Sequence, residues 1–143
     1  MKYIKQRGEN DCGIAAVAMA CRLRYEQVAA DLPLDGDGTN DTLIKDWLCR
    51  HGWAWQERTR NLWRGGKFEP VSPWPPKPFA PVHICFVEAT KGWHYCVLNF
   101  DGRVYDPWKE ERERLDHPDY KRVASVTGLF KTHYHDQRAG SGI

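Results

Sequence analysis

The sequence predicts an α+β fold, on three observations: helical periodicity is confined to its first third, an extended proline-rich stretch follows, and short alternating β runs come last. Residues 12–24 (CGIAAVAMACRLR) place Ile14, Val17, Ala18 and Cys21 at i, i+3, i+4 and i+7, which predicts a helix opening at Cys12 with Asp11 in the N-cap position. Tyr25–Leu32 reads as a short amphipathic helix stopped by Pro33, and DGDGT at 35–39 as a loop. Thr39 or Asn40 can cap a further helix, Asp41–His51, whose Leu43, Ile44, Trp47 and Leu48 share one face and whose Gly52 suits the left-handed position after the helix.

Trp53–Arg58 alternates as a strand does. Between Thr59 and Pro81 periodicity is weak, and prolines at 70, 73, 75, 76, 78 and 81 favour extended polyproline-like chain over 70–81. Val82–Val87, His94–Phe100 and Arg103–Asp106 are β runs, the last two separated by an Asp101-Gly102 turn signal. KEERER after Trp108 reads as a charged helical face, and the chain beyond Gly128 offers little to bury. The expected organisation is one domain: a mostly helical half (1–58), a Pro-rich linker (59–81), a β half (82–128) and a tail (129–143), with a site in the cleft between the halves.

Composition narrows the function classes. The chain has 143 residues and 16.6 kDa, the size of one ordinary domain, with 41% hydrophobic and 28% charged residues, so disordered, collagen-like and coiled-coil readings fit poorly. Its 21 basic and 19 acidic side chains leave a net charge of +2, too little for a dedicated nucleic-acid or anionic-membrane binder. No apolar run is long enough to span a membrane, and Met1–Asp11 holds no apolar signal core, so a reducing, cytoplasmic setting is expected. The five cysteines, at 12, 21, 49, 85 and 96, are odd in number and form no C-x-x-C pair, which argues against a complete disulfide framework and against zinc-finger spacing.

Cys12 opens the Ala-rich helix, where free N–H groups and the positive end of the dipole stabilise a thiolate. A nucleophilic thiol also needs a base, a group that orients the base, and donors for the developing oxyanion. Gln6, in Q-R-G-E-N-D-C-G, can bring its amide back beside the helix start; His94 opens a β run in W-H-Y-C-V-L; Asp106 lies on the next strand in V-Y-D-P-W. With these residues the chain resembles the papain-like cysteine peptidases, and among them the bacteriocin-processing family that cuts double-glycine leader peptides. The matching motifs are Gln6, Asp11-Cys12-Gly13, His94 with Tyr95–Leu98, and Asp106-Pro107, supported by Leu23–Ala29, Gly38-Thr39 and Asp41–Gly52. Trp108 is similar to the indole that shields the equivalent hydrogen bond in papain-like enzymes.

The resemblance implies a papain-like fold, with Cys12 as nucleophile, His94 as its acid–base partner, Asp106 fixing the imidazole, Gln6 in the oxyanion hole, a peptide or protein substrate, and no cofactor or metal. Exporters of that family carry the peptidase ahead of membrane and nucleotide-binding domains; with no apolar span and no Walker-type loop, this sequence is expected to be a free-standing peptidase directed by a separate protein partner. Amidase, deamidase or transglutaminase-like acyl transfer on the same residues is the second reading, and a catalytically silent binding module the third.

Strand parity tests the pairing of His94 with Asp106. A two-residue Asp101-Gly102 turn would put them on opposite faces, so the triad requires an odd-length loop or a bulge in this hairpin. Cys21, Cys49, Cys85 and Cys96 are expected in the core. A zinc site built from His83, Cys85, His94 and Cys96 is the competing arrangement, without the usual ligand spacing in its favour. The basic stretch Arg58–Lys67, the pair His133 and His135, and most of the seven tryptophans read as solvated loop or packing.

Overall fold

The computed structural model describes residues 1–34, 38–58, 63–64, 67–68, 77–90, 92–108, 112–115 and 119–132, leaving aside the side chains of 63, 64, 67, 68, 112 and 113. The expectations for the 35–37 loop, for polyproline chain at 70–76, for most of Arg58–Lys67, and for His133, His135 and the end of the tail lie outside these residues.

Three helices come first: α1 (Cys12–Cys21), α2 (Tyr25–Ala29) and α3 (Asp41–Arg50). Then come strands β1 (Trp53–Arg58), β2 (Trp63–Arg64), β3 (Lys67–Phe68), β4 (Val82–Ala89), β5 (Gly92–Asn99), β6 (Arg103–Tyr105), β7 (Arg112–Arg114) and β8 (Tyr120–Lys131). Six of them form an antiparallel sheet in the order β1-β8-β4-β5-β6-β7, while β2 and β3 pair separately. Among the described residues no helix is long and apolar enough to cross a membrane.

Every residue of α1 from Gly13 to Cys21 is buried. A helix apolar on all sides belongs inside a protein, and its alanines let the sheet approach closely. It stops three residues before the expected end, because Arg22 turns left-handed (φ 57°) and the N–H groups of Arg22 and Leu23 bond back to Met19 O (3.3 Å) and Ala18 O (2.9 Å). Likewise α2 ends at Ala29, and a turn carries the chain on to buried Leu32. α3 matches its expected signals: Asn40 Oδ1 accepts from Leu43 N at 2.9 Å, and Gly52 is left-handed.

The sheet buries both faces. One face packs against the helices, with Ile14, Val17, Met19, Trp47 and Leu48 meeting Val82, Ile84, Tyr95, Val97 and Leu129. On the other, Cys85, Val87, Cys96, Leu98 and Val104 form a second core with Leu115, Tyr120, Val123 and Val126.

Two expectations for the C-terminal third are corrected. Residues 112–114 of the KEERER run form β7, hydrogen-bonded to β6, because the ladder satisfies their backbone where a helix had no partner face. The boundary expected at 128 falls inside β8, whose Leu129 is fully buried and whose length pairs with both β4 and β1. The signal was hidden because the β4–β8 register steps twice, between Phe86 and Val87 and between Glu88 and Ala89, leaving Ala124 and Lys121 as bulged residues. Each bulge shifts the inside–outside alternation by one.

His83 is fully buried, and all its ring bonds go to backbone: Nδ1 donates to Leu98 O (2.9 Å), and Nε2 accepts from Phe79 N (3.0 Å) and Ala80 N (3.1 Å). Burial lowers its pKa, so it stays neutral and pins the 79–80 segment to the sheet. The cross-strand partner Gly128 leaves room for that segment, since a Cβ there would come within 2.5 Å of the Phe79 ring and 2.8 Å of Ala80 Cβ. Gly128→Ala is therefore expected to lower stability by about 1–3 kcal/mol, read as a lower midpoint in urea unfolding with an unchanged slope.

Candidate active site

The β5–β6 hairpin decides whether the predicted base and its carboxylate can meet. Its register pairs Val97 with Tyr105 and Leu98 with Val104, so the loop holds three residues, Phe100, Asp101 and Gly102. Gly102 has φ 88° and donates its N–H to Asn99 O (3.0 Å), as a three-residue hairpin loop needs. The odd loop that the parity argument required is present. His94 and Asp106 lie on one face, and His94 Nε2 donates to Asp106 Oδ1 at 2.5 Å.

Asp106 is 3% exposed, and its carboxylate accepts from donors fixed in the fold. Oδ1 also accepts from Trp108 N at 2.9 Å, and Oδ2 accepts from the Tyr120 hydroxyl at 2.5 Å. Burial pushes the Asp106 carboxyl up, but the His94 bond and charge and the donors Tyr120 and Trp108 outweigh it, holding the pKa below the ordinary carboxylate value. The Tyr3 hydroxyl donates to Asp106 O, and Gln6 N donates to Pro107 O (2.9 Å), tying the N-terminal segment to this strand end.

Cys12, half-buried at the start of α1, lies within hydrogen-bonding reach of His94. Burial lowers the His94 pKa; hydrogen bonds to Asp106 and Cys12, with their charges, more than reverse this and raise it to about 9. Since Nε2 is committed to Asp106, Nδ1 is the nitrogen left for Cys12. The side chain of His94 is only 12% exposed, so water competes weakly for either bond.

Gln6 is buried, but Nε2 donates to Gly8 O at 2.7 Å and the residue is not among those lining the cleft. Its Oε1 has no hydrogen-bond partner among the described residues. Asp11 occupies the N-cap position of α1 without capping through its side chain. Instead it accepts from Gly8 N (Oδ1), Arg7 N and the Tyr25 hydroxyl (both Oδ2), each at 2.7 Å. Thus Asp11 shapes the loop whose Gly8 carbonyl anchors Gln6.

Cys12, His94 and Asp106 line one cleft of about 960 Å³, with Thr39, Trp108 and Tyr120 among its other walls. Phe86 stacks on Trp93 (centroids 5.0 Å apart) and packs against Tyr95 (4.7 Å), giving the cleft an aromatic shelf. Trp93 is 45% exposed on that shelf.

The remaining thiols divide. Cys21, Cys85 and Cys96 are buried as expected, and burial pushes Cys21 up to about 12. Cys49 is exposed, contrary to expectation: it follows Leu48 on α3 and falls outside the buried face of Ile44, Trp47 and Leu48. For the zinc alternative, His83 and Cys85 do share a face with His94 and Cys96, yet both His83 nitrogens are bound to backbone. Among the described residues no three His, Cys, Asp or Glu side chains are grouped to hold a metal.

Sequence reasoning missed Tyr120 and Tyr3. No motif marks either, and Tyr120 reaches Asp106 only through a strand whose alternation the bulges conceal.

The architecture is the papain-like peptidase fold, helices against an antiparallel sheet with the cleft between them. Among the solved structures that share it are two peptidase domains of transporters. A double-glycine motif protease from an AMS/PCAT transporter, in complex with the leader peptide, aligns with TM-score 0.60 and 19% identity over 92% of this chain and 91% of its own. The peptidase domain of Streptococcus ComA, a bi-functional ABC transporter involved in a quorum sensing pathway, aligns with TM-score 0.65 and 14% identity over 92% and 98%. No protein-family model matches the sequence. Nor does any curated protein match it by sequence.

Proposed function

We propose that this chain is a cysteine peptidase in which Cys12 attacks a peptide carbonyl, His94 carries the proton and Asp106 holds the imidazole. The observation that supports it most is the group of side chains at the cleft: a buried carboxylate bonded to His94 Nε2 and the Cys12 thiol within hydrogen-bonding reach of the same imidazole, with His94 raised to about 9. A structural histidine has no need of a thiol partner at the mouth of an open cleft.

Cys12 Sγ forms a bond to the carbonyl carbon while the carbonyl electron pair moves to oxygen, where the Cys12 N–H receives it; Gln6, bonded to Gly8 O and outside the cleft lining, must turn its amide inward to serve as the second donor. The imidazolium gives its Nδ1 proton to the leaving nitrogen as the C–N bond breaks. Water, deprotonated by His94, then attacks the thioester, and the C–S bond breaks to return the thiolate.

The substrate is a peptide or protein segment, and a Gly-Gly-like site is the specificity that the leader-bound neighbour suggests. A reducing, cytoplasmic setting would keep Cys12 free, and a partner protein would direct the enzyme to its substrate. Incubating the chain with fluorogenic peptides ending in Gly-Gly or Ala-Ala tests this reading. Because His94 must hold its proton, hydrolysis is expected to persist above neutral pH and to fall as pH rises through about 9. Loss of activity already near 6.5, or no cleavage at any pH, would count against it.

A further inference from the structure

The Tyr120 hydroxyl has no part in the mechanism just described, yet it is buried against the central carboxylate. We propose that Tyr120 is a positioning residue: its hydroxyl clamps Asp106 Oδ2 and thereby fixes the carboxylate oxygen that His94 uses. This deepens the peptidase reading and rests on it for the roles of His94 and Asp106. The bond itself stands on geometry.

The clamp exists because of a register step. Between Glu88 and Ala89 the β4–β8 pairing shifts, so that Ala89 pairs with Tyr120 and Lys121 is bulged out. In the register of the preceding pairs, Val87↔Val123 and Glu88↔Arg122, the partner of Ala89 would have been Lys121. Lys121 would then point at the second core and Tyr120 away from it. The bulge exchanges the two: Tyr120 is 5% exposed beside Val87 and Val123, and Lys121 is exposed.

A carboxylate turns easily about its bond to Cβ unless both oxygens are engaged. Here Oδ1 takes His94 Nε2 and Trp108 N, while Oδ2 takes the Tyr120 hydroxyl. Loss of the clamp frees Asp106 to rotate, weakening the bond that keeps His94 charged. The titratable groups facing this pair are His94 and Cys96 on β5, Tyr120 on β8, Cys12 on α1 and Tyr3 in the N-terminal segment, with Tyr3 held to the backbone oxygen of Asp106.

The test is an NMR titration of His94 in the full chain, wild type against Tyr120→Phe. The wild-type value of about 9 is expected to fall toward the ordinary 6.5 in the variant. In an Asp106→Asn background the same substitution is expected to move His94 no further. An unchanged or higher value in folded Tyr120→Phe overturns the proposal. Should that variant not fold, the wild type decides: a slowly exchanging, downfield Tyr120 hydroxyl proton that disappears in Asp106→Asn supports the clamp, and its absence from the wild type refutes it. The titration needs no substrate, so a chain that cleaves no peptide would sink the peptidase reading while the clamp is judged separately.

Discussion

Replacing Cys12 with alanine is expected to abolish peptide hydrolysis, lowering turnover by about 10⁴-fold or more while leaving the melting temperature nearly unchanged. The split follows from where Cys12 sits. It is half-buried at the first turn of α1, where alanine forms helix at least as well, and the buried body of that helix begins only at Gly13. His94→Ala should produce a loss of similar size, and the double variant should be little worse than either alone, since the two groups act as one unit. Initial rates on a peptide cleaved by the wild type measure all three. Multiplicative losses, or residual activity within tenfold of wild type, would place the chemistry elsewhere.

Asp106→Ala should damage both fold and function. It strips the acceptor from three donors at once, His94 Nε2, Trp108 N and the Tyr120 hydroxyl, in a place with almost no access to water. Breaking a buried charged pair by removing one partner costs about 3–5 kcal/mol, enough to lower the melting temperature clearly. His94 loses the chief group that keeps it charged, while the burial that lowers its pKa remains. Turnover at neutral pH is then expected to fall by about 10³-fold.

The sign of the linkage can be checked in the wild type. His94 titrates at about 9 when folded, against an ordinary 6.5. Its bonds therefore stabilise the fold fully below about 6.5, and that contribution fades as pH rises through about 9. Asp106 works in the opposite sense: its lowered pKa gives stability present above the ordinary carboxylate value and lost as pH falls below it. The Asp106→Ala variant should lose most of both dependences.

The parts of this fold that could be read from sequence are those with local signals. The cap and glycine of α3 are such signals, and so is the hairpin parity, where the demand for an odd loop between His94 and Asp106 is met by Phe100-Asp101-Gly102. What could not be read depends on distant partners. β7 is three residues of charged sequence that form a strand only because β6 offers a ladder, and β8 carries two bulges that break its alternation. The same bulges hid Tyr120. Asp11 was legible as a residue before a helix, but its task of gathering Arg7 N, Gly8 N and the Tyr25 hydroxyl is a tertiary matter. Cys49 lies a single step around α3 from the buried Leu48, a difference that decides its exposure.

The five thiols provide the most direct measurement, because one is assigned to chemistry, three are buried and one is simply exposed. Treat the native chain with an electrophilic peptidyl ketone that targets thiolates, and locate the adduct by mass spectrometry. Modification is expected at Cys12, reduced sharply by His94→Ala, with exposed Cys49 reacting slowly if at all. Modification that follows exposure, landing on Cys49 and sparing Cys12, would contradict the assignment of Cys12 to the chemistry.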